Sequence, residues 1–450
     1  MPEPQANRGA TPDPLDAAEA ALDAGRHAEA LALATGLMAQ GHDQPALWRL
    51  AAKAQEGLGR LDAALVPARE GVARHPASAM LRVGLGKLEL SLGHDAAALE
   101  SFGHAIRRDP LQLEAWKGLL ALRPVDPRED GLAAVAASVH DSARSARLRA
   151  KAAFVLGQID CEAGLHDSGF DHYARANAII AAASDPDALE YRYPPATLAF
   201  DRAVIDRHRG KVAPAPCPAI LISGLPRSGK SLAEGLLAGP EVRAGDELAV
   251  LVRYARTLDW SRGADAVAAA LVAAPPALPA LYAAKVDGAR LVSDTAPTNL
   301  FRLGLLGLMH PGVPVILCRR DPMDLGASMF FKQFRSGNLF TASLPALGRA
   351  IARAERLMAH WVDTLPNPLT VLDYETTARD PQETARRLSR LTGTAPAAVA
   401  TATAPLRLSP GRSLGRAGIS AGLVGFSEPY AAQLAPMMAA YRAERDRLSR

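Results

Sequence analysis

The 450-residue chain has few cysteines, little excess charge and no long uninterrupted apolar run. Its three cysteines, Cys161, Cys217 and Cys318, lie far apart without metal-ligand spacing. This pattern argues against a disulfide framework or a metal centre, and it indicates reduced thiols. A net charge of +4 is small for a chain of this length, so no nucleic-acid partner is expected.

Segments that direct a chain to or through a membrane are also lacking. Residues 1–20 contain no apolar core of a secretory signal. The alanine-rich stretch 264–284 is interrupted by Pro275, Pro276 and Pro279 and is too weakly apolar for a membrane span. We therefore expect a cytoplasmic protein without a membrane span. The length predicts two or more domains.

The first part of the sequence repeats itself with a period of 34 residues. Glycine recurs at the expected bends, alanine recurs within the helical stretches, and proline follows them. This pattern resembles the tetratricopeptide repeat, in which paired helices bury their apolar faces only against their neighbours. A generic alanine-rich helical bundle is the alternative. We predict an all-α repeat domain over residues 1–190. The repeating positions are Gly25, Gly59 and Gly93, Ala30, Ala64 and Ala98, and Pro76 and Pro110.

A proline-rich connector, residues 191–218, precedes a different pattern. Short apolar runs that are typical of buried strands, such as Ala219–Ser223, alternate with helical stretches. This alternation predicts a parallel sheet covered by helices on both faces. We therefore predict a P-loop-like α/β domain over residues 219–450. Later runs are 290–293, 314–318 and 369–373.

The first predicted strand leads into the sequence GLPRSGKS, residues 224–231. It satisfies the G-x-x-x-x-G-K-S pattern of a nucleotide phosphate loop. Arg227 and Lys230 supply positive charge, Ser228 and Ser231 supply hydroxyl donors, and Gly229 permits close approach of an anion. A loop that serves ATP also needs a Mg²⁺ site. Asp294 and Asp373 follow apolar strands and fit that description loosely, so an ATP-binding loop stays open.

A second anion-binding segment, CRRDPMDLGAS, covers residues 318–328. Arg320 is placed at the end of a strand and Ser328 in the next helix, so both side chains can converge on one phosphate. A surface ion pair of Arg320 with Asp321 or Asp324 is the alternative.

These segments, in this order and after helical repeats, resemble a bacterial tetratricopeptide-repeat sulfotransferase family, whose catalytic part is similar to tyrosylprotein sulfotransferases. PRSG resembles the family's 5′-phosphosulfate loop, Arg320 and Ser328 its 3′-phosphate motif, and residues 294–299 its D-K-x-P-x-N segment. The resemblance implies 3′-phosphoadenylyl sulfate (PAPS) as co-substrate, no metal, and sulfuryl transfer to a hydroxyl acceptor, whether peptide, glycan or lipid.

The resemblance also implies a catalytic base in the segment RAGDEL, residues 243–248. Glu247 takes that position, and a carboxylate there would accept the proton of the acceptor hydroxyl. Capping of a helix N-terminus by Asp246 and Glu247 is the alternative. Arg227 is the first candidate to stabilise the departing phosphate.

The sequence departs from the family at three positions. Thr295 replaces the lysine of D-K-x-P-x-N, and Lys230 replaces the usual loop threonine, so Lys230 is a candidate to supply the missing charge. In the C-terminal loop Arg416 and Gly425 match the family's nucleotide-closing segment, but Phe426 stands where an arginine is usual.

Two other functions therefore stay open. The first is a P-loop kinase or NTPase that uses ATP with Mg²⁺. The second is a non-catalytic scaffold that binds nucleotide, which Thr295 favours. In each case the helical repeats offer a surface for a protein partner or for the acceptor.

Overall fold

The computed structural model describes residues 14–194, 196–211, 216–273, 277–334, 337–395, 407–408, 412–413 and 423–450. The chain divides into two compact units, Met1–His172 and Tyr173–Arg450. Helix α10 begins in the first unit and ends in the second. The predicted boundaries at residues 190 and 218 stay predictions.

The first unit is helical. Each helix from α1 to α6 contacts the next one, α8 contacts α9, and each odd-numbered helix from α1 to α9 also contacts the next odd-numbered one. Its helices, with α10 crossing into the second unit, are α1 (Pro14–Asp23), α2 (His27–Ala39), α3 (Pro45–Gly57), α4 (Leu61–Arg74), α5 (Ala79–Ser91), α6 (Asp95–Arg108), α7 (Leu113–Leu120), α8 (Leu132–His140), α9 (Ala146–Glu162) and α10 (His166–Ala182).

The 34-residue period has a structural counterpart in these pairs. Gly25, Gly59 and Gly93 all have positive φ angles, of 74°, 77° and 80°, and each ends the first helix of a pair. The alanines that repeat with them are completely buried between helices. Equivalent positions of the sequence thus carry equivalent backbone and packing roles. Membership of the tetratricopeptide class stays a prediction.

The second unit contains a parallel sheet of five strands in the order β2-β3-β1-β4-β5. The central strand is buried along its whole length. The predicted fold class is therefore confirmed: a mostly helical region precedes a domain with a parallel sheet. The two-residue strand β2 was not predicted. The strands are β1 (Ala219–Ser223), β2 (Val242–Arg243), β3 (Leu291–Asp294), β4 (Val315–Arg319) and β5 (Leu369–Asp373), and an antiparallel pair is formed by β6 (Arg407–Leu408) and β7 (Arg412–Ser413).

Helices of the second unit cover this sheet. Leu232 and Leu236 of α13 pack against Ile220 and Ile222 of β1 in one buried cluster. The helices are α11 (Ala196–Ala199), α12 (Arg202–His208), α13 (Lys230–Gly235), α14 (Val250–Ala255), α15 (Gly263–Ala273), α16 (Leu278–Ala283), α17 (Leu303–Met309), α18 (Pro322–Phe330), α19 (Leu344–Thr364), α20 (Tyr374–Arg379), α21 (Pro381–Thr392) and α22 (Ala435–Ser449).

The strand order reverses direction at β1. The chain leaves β1 toward β2 and β3 on one side and then crosses to β4 on the other. Ligands of open α/β sheets bind at the carboxyl ends of the strands beside such a switch point. The loops that follow β1 and β4 are therefore the first place to search for a site. Among the described residues, every helix is too short or too polar to cross a bilayer.

Candidate functional site

The loop between β1 and α13 passes very close to the end of β4. A Cβ on Gly224 would lie 2.4 Å from the carbonyl oxygen of Cys318, so only glycine fits there. Arg227 has a φ of 70°, which a non-glycine residue rarely adopts. Such strain persists where the surroundings determine the conformation, and it is frequent at binding sites.

Two hydroxyl groups of this loop region are buried without hydrogen-bond partners among the described residues. They are Ser228 Oγ in the loop and Ser223 Oγ at the end of β1. Buried polar groups are normally bonded, so each unbonded one points to a missing partner. Ser231, in the first turn of α13, is half-buried.

Lys230 is buried, and its amino group folds back over the loop. Nζ donates to the carbonyl oxygens of Gly224, at 2.9 Å, and Leu225, at 3.3 Å. Burial lowers the pKa of Lys230 to about 8, although negative charge at Cys318 or Glu247 opposes that shift. The side chain thus holds the loop closed, and it lies near the candidate base.

Arg227 lies beside Ser328 and interacts with the charge of Arg320. Nε of Arg227 donates to Ser328 Oγ at 2.9 Å, across from the loop to α18. Desolvation, followed by the like charge of Arg320, lowers the pKa of Arg227. Two guanidinium groups therefore share one region of low solvation.

The Arg320 side chain is almost completely buried, with 6% of the residue exposed. Its guanidinium lies between the rings of Tyr374 and Phe426, 4.2 and 5.2 Å from their centroids. One terminal nitrogen donates to the Leu423 carbonyl at 2.6 Å, whereas Nε is bonded to no described residue. A surface ion pair does not describe this residue, because Asp324, 3.8 Å away, is buried as well.

Asp324 anchors the C-terminal segment beside Arg320. Its carboxylate accepts hydrogen bonds from the backbone N–H of Gly425, at 2.7 Å, and from the N–H and Oγ of Ser427, at 3.1 and 2.6 Å. This role of Asp324 was not predicted, because the contact joins residues about a hundred positions apart. Arg416 lies outside the described residues.

The loop that carries Glu247 is tightly fixed. Asp246 and Ala249 have φ angles of 54° and 52°, and a Cβ on Gly245 would lie 2.1 Å from the Ser293 carbonyl oxygen. Glu247 itself is exposed. The capping considered for Asp246 and Glu247 is performed by another residue, Asp294.

Asp294 is completely buried at the end of β3. It accepts hydrogen bonds from the N–H groups of Ala249 and Val250, both at 3.3 Å, and from the Tyr282 hydroxyl at 2.9 Å. These bonds fix the start of α14. Next to it, the Thr295 N–H donates to the Asp246 carbonyl at 2.8 Å, and the Thr295 residue is buried.

Glu234 of α13 joins the phosphate-loop helix to the Glu247 loop. Its Oε1 accepts the Asp246 N–H at 3.0 Å and the Ser293 hydroxyl at 2.5 Å. Burial raises the pKa of Glu234, and the nearby Asp246 adds to the effect. The sequence signal for this contact is a glutamate inside the apolar stretch LAEGLL, residues 232–237.

Replacing Glu234 tests how strongly this contact holds the loop. Glu234→Ala leaves the Asp246 N–H without its acceptor and leaves the Ser293 hydroxyl only the longer bond to the Arg243 carbonyl, so the free energy of unfolding should fall by about 2 kcal/mol. Glu234→Gln keeps an acceptor oxygen and should cost less than about 1 kcal/mol. Urea unfolding measures both variants. Equal costs would contradict the assigned hydrogen bonds.

A cavity of about 210 Å³ opens beside the phosphate loop. Aromatic rings form much of its wall, and Tyr191 packs edge-on against Phe340 with ring centroids 5.1 Å apart. Its lining includes Gly224, Leu225, Pro226, Tyr191, Pro297, Phe301 and Phe340. The cavity thus combines an apolar wall with the backbone of the loop.

Comparisons with known proteins found one family model, a protein relative and a solved structure that are similar to parts of this chain. Residues 218–395 match the model of the sulfotransferase family. An uncharacterized protein of Aquifex aeolicus (strain VF5) is 25% identical over 259 residues, which are 53% of this chain and 34% of that protein. The chain therefore spans about a third of the length of this relative.

A solved structure, the sulfotransferase domain from the curacin biosynthetic pathway, is similar at 14% identity, with 50% of this chain and 99% of that chain covered and a TM-score of 0.32. The family match covers the loop after β1, the Glu247 segment and the Arg320 segment. Residues 218–395 of this chain are thus similar to the sulfotransferase family.

Proposed function

We propose that the second unit transfers a sulfuryl group from 3′-phosphoadenylyl sulfate to a hydroxyl acceptor. In this proposal the loop residues Arg227 to Ser231 hold the 5′-phosphosulfate. Arg320 and Ser328 hold the 3′-phosphate, and Gly425 belongs to the segment that closes over the nucleotide. Glu247 is the base.

The observation that carries the proposal is the pair of guanidinium groups at the carboxyl end of β4. Desolvation lowers the pKa of Arg227, and the like charge of Arg320 adds to this effect. The carboxylate beside them, Asp324, is occupied by backbone and hydroxyl donors of residues 425 and 427. Two desolvated cations with unbonded Arg320 Nε and Ser228 Oγ nearby favour a bound anion with several oxygens.

The same geometry disfavours ATP with Mg²⁺. Asp294, one of the two acids considered for the metal, accepts hydrogen bonds on both oxygens from N–H and O–H donors. Asp373, the other, is bonded by the guanidinium of Arg319. Hydrogen-bonded oxygens of this kind are poorly placed to bind a cation, whereas a phosphosulfate needs only the cations of the loop.

The proposed reaction is an in-line displacement at sulfur. The acceptor oxygen forms a new S–O bond while the bond from sulfur to the bridging phosphate oxygen breaks, and the acceptor proton passes to Glu247. Charge develops on the departing 5′-phosphate. Arg227 and Lys230, together with the loop N–H groups, are placed to stabilise that charge.

Lys230 is the residue of this chain that compensates for Thr295 in the proposal. Thr295 is buried and carries no charge, and its N–H holds the Glu247 loop. Lys230 brings a positive charge to the phosphate loop, where its Nζ donates to the carbonyl oxygens of Gly224 and Leu225. In the proposal, the positive charge that is absent at Thr295 is supplied by Lys230.

The cavity beside Gly224, whose lining also includes Glu190 and Arg192, is the proposed place of the acceptor. Its wall contains loop residues on one side and aromatic rings on the other. An acceptor seated there would present its hydroxyl at the edge of the loop, where the sulfuryl group is expected.

Transfer of labelled sulfate tests the proposal against a non-catalytic scaffold. The purified full chain is incubated with donor labelled in the sulfuryl group and with an extract of cellular acceptors. Labelled products that Glu247→Gln fails to form support catalysis. Nucleotide binding without any labelled product would support the scaffold instead.

The depressed pKa of Lys230 predicts a pH effect on nucleotide binding. Charged Lys230 attracts the anion, so affinity for adenosine 3′,5′-bisphosphate should be constant below pH 8. Above about 8 the free protein loses this proton, and affinity should fall by up to about tenfold per pH unit. Isothermal titration calorimetry at pH 7 to 9.5 measures it. Lys230→Met should bind more weakly and without this slope, and an unchanged slope in that variant would contradict the assignment.

A further inference from the structure

Helix α10 places a buried amide, that of Asn177, inside the second unit. Asn177 is 2% exposed. Its Nδ2 donates to the carbonyl oxygen of Tyr173, four residues earlier in the same helix, at 2.9 Å, and to the carbonyl oxygen of Phe330 at 2.8 Å. Phe330 is the last residue of α18, so the second bond joins positions that are 153 residues apart. One amide thus holds α10 and α18 together.

The Phe330 carbonyl lies at the C-terminal end of α18. The last four carbonyl groups of an α-helix have no partner within the helix. In α18 the N–H that follows the helix, that of Phe331, donates to the carbonyls of Ala327 and Met329. Asn177 supplies a donor for the Phe330 carbonyl from another helix. The amide therefore caps α18 and fixes the place of its last turn.

Aromatic packing holds the same end of α18. The ring of Tyr173, about one helical turn before Asn177, stacks on Phe331 with the centroids 4.4 Å apart and the planes at 15°. Phe331 meets the ring of Tyr430 edge-on, with the centroids 4.9 Å apart. Tyr430 is buried and lies in the C-terminal segment that Asp324 anchors. Helix α10 thus contacts α18 where the C-terminal segment also packs.

Helix α18 carries two groups of the candidate site. Ser328 accepts a hydrogen bond from Nε of Arg227 at 2.9 Å, and Asp324 accepts the N–H of Gly425 at 2.7 Å. Ser328 and Phe330 share the last turn of this nine-residue helix. Because residues of one turn move together, the place of the Phe330 carbonyl determines the place of the Ser328 hydroxyl.

We propose that Asn177 is a positioning residue for the 3′-phosphate site. This inference rests on the proposed function, which assigns Ser328 and Arg320 to that phosphate. Asn177 acts through the Phe330 carbonyl and keeps the Ser328 hydroxyl within reach of the phosphate oxygens. Hydrogen bonds weaken steeply with distance and angle, so a displaced hydroxyl loses its contribution. The nucleotide site therefore depends on a residue that lies outside the family match at residues 218–395.

Calorimetry with two nucleotides distinguishes positioning from a general effect on stability. Adenosine 3′,5′-bisphosphate and adenosine 5′-phosphate differ in the 3′-phosphate, so the ratio of their Kd values reports on that group. In the full chain, Asn177→Ala should lower this preference for the bisphosphate by about tenfold, the effect of about one hydrogen bond to a charged group. Its affinity for adenosine 5′-phosphate should stay within about twofold of the wild type.

A second variant keeps the test valid if Asn177→Ala folds poorly. In Asn177→Ser the hydroxyl can bond the carbonyl four residues earlier in its own helix. The shorter side chain no longer reaches Phe330, so the preference for the bisphosphate should fall as it does in Asn177→Ala. Urea unfolding shows whether each variant is folded at the temperature of the titration.

Ile179→Val is the matched control. Ile179 is buried in the same helix, about 200° around the helix axis from Asn177. The substitution loosens packing without removing a hydrogen bond, so the preference for the bisphosphate should stay within about twofold.

The outcomes separate this inference from the proposed function. An unchanged preference in the folded Asn177 variants, or an equal loss in Ile179→Val, would overturn the positioning role while the 3′-phosphate site stands. A wild type that binds both nucleotides equally would overturn the 3′-phosphate site itself, and the inference would fail with it.

Discussion

Replacing Arg320 by alanine is expected to weaken the binding of adenosine 3′,5′-bisphosphate by about 10²-fold or more. The guanidinium is buried, and its Nε is bonded to no described residue, so in our proposal it binds the 3′-phosphate in a desolvated place. Loss of one partner of a buried charge pair costs about 2–5 kcal/mol, and each 1.4 kcal/mol is about tenfold in affinity. Isothermal titration calorimetry measures the change.

The neighbouring residue provides the matched control. Arg319 has the same side chain, but it is exposed and pairs with Asp373. Arg319→Ala should therefore change the affinity less than about threefold, in line with the small energies of surface ion pairs. Arg320→Lys keeps the positive charge but lacks the planar N–H donors of a guanidinium. Its loss of affinity should lie between those of Arg319→Ala and Arg320→Ala. Equal losses for Arg319→Ala and Arg320→Ala would contradict the proposed 3′-phosphate site.

Replacing Glu247 by glutamine should lower the rate of sulfuryl transfer by about 10²–10⁴-fold while leaving nucleotide affinity unchanged. Glutamine has nearly the same shape and cannot accept the acceptor proton. The Glu247 side chain is exposed and has no hydrogen bond to a described residue. The substitution should therefore leave the free energy of unfolding nearly unchanged. Steady-state kinetics with labelled donor gives the rate, and calorimetry with adenosine 3′,5′-bisphosphate gives the affinity.

Asp246→Asn controls for a general loss of charge in the same loop. Asparagine tolerates the positive φ of this position, and the N–H that bonds Glu234 is retained. The transfer rate of this variant should stay within about tenfold of the wild type. If Glu247→Gln keeps the full rate, or if Asp246→Asn loses as much, the base is not Glu247.

The sequence was informative wherever a local pattern determines structure. Buried apolar runs predicted strands β1, β3, β4 and β5, because each is long enough to show its character without the rest of the fold. Strand β2 has two residues, Val242 and Arg243, and no periodicity can be seen in so short a segment. The 34-residue spacing of glycines likewise predicted where the chain turns between helices of the first unit.

The site could be predicted from the sequence only in part, because its contacts join segments that are distant in the chain. The order of strand and helix predicted that Arg320 and Ser328 converge, and this convergence stays a prediction. The bonds of Asp324 to residues 425 and 427, and of Glu234 to the Asp246 N–H, depend on tertiary packing. Asp294 shows the same limit, because its place after a strand fits a metal ligand as well as the helix cap that the structure contains.

Calorimetry with two nucleotides tests the central claim most directly. The full chain is titrated with adenosine 3′,5′-bisphosphate without metal, and separately with ATP and Mg²⁺. We expect tight binding of the bisphosphate, weakened strongly by Arg320→Ala, and weak binding of ATP with Mg²⁺. Tight binding of ATP with Mg²⁺ alone, with no response to the 3′-phosphate, would contradict it.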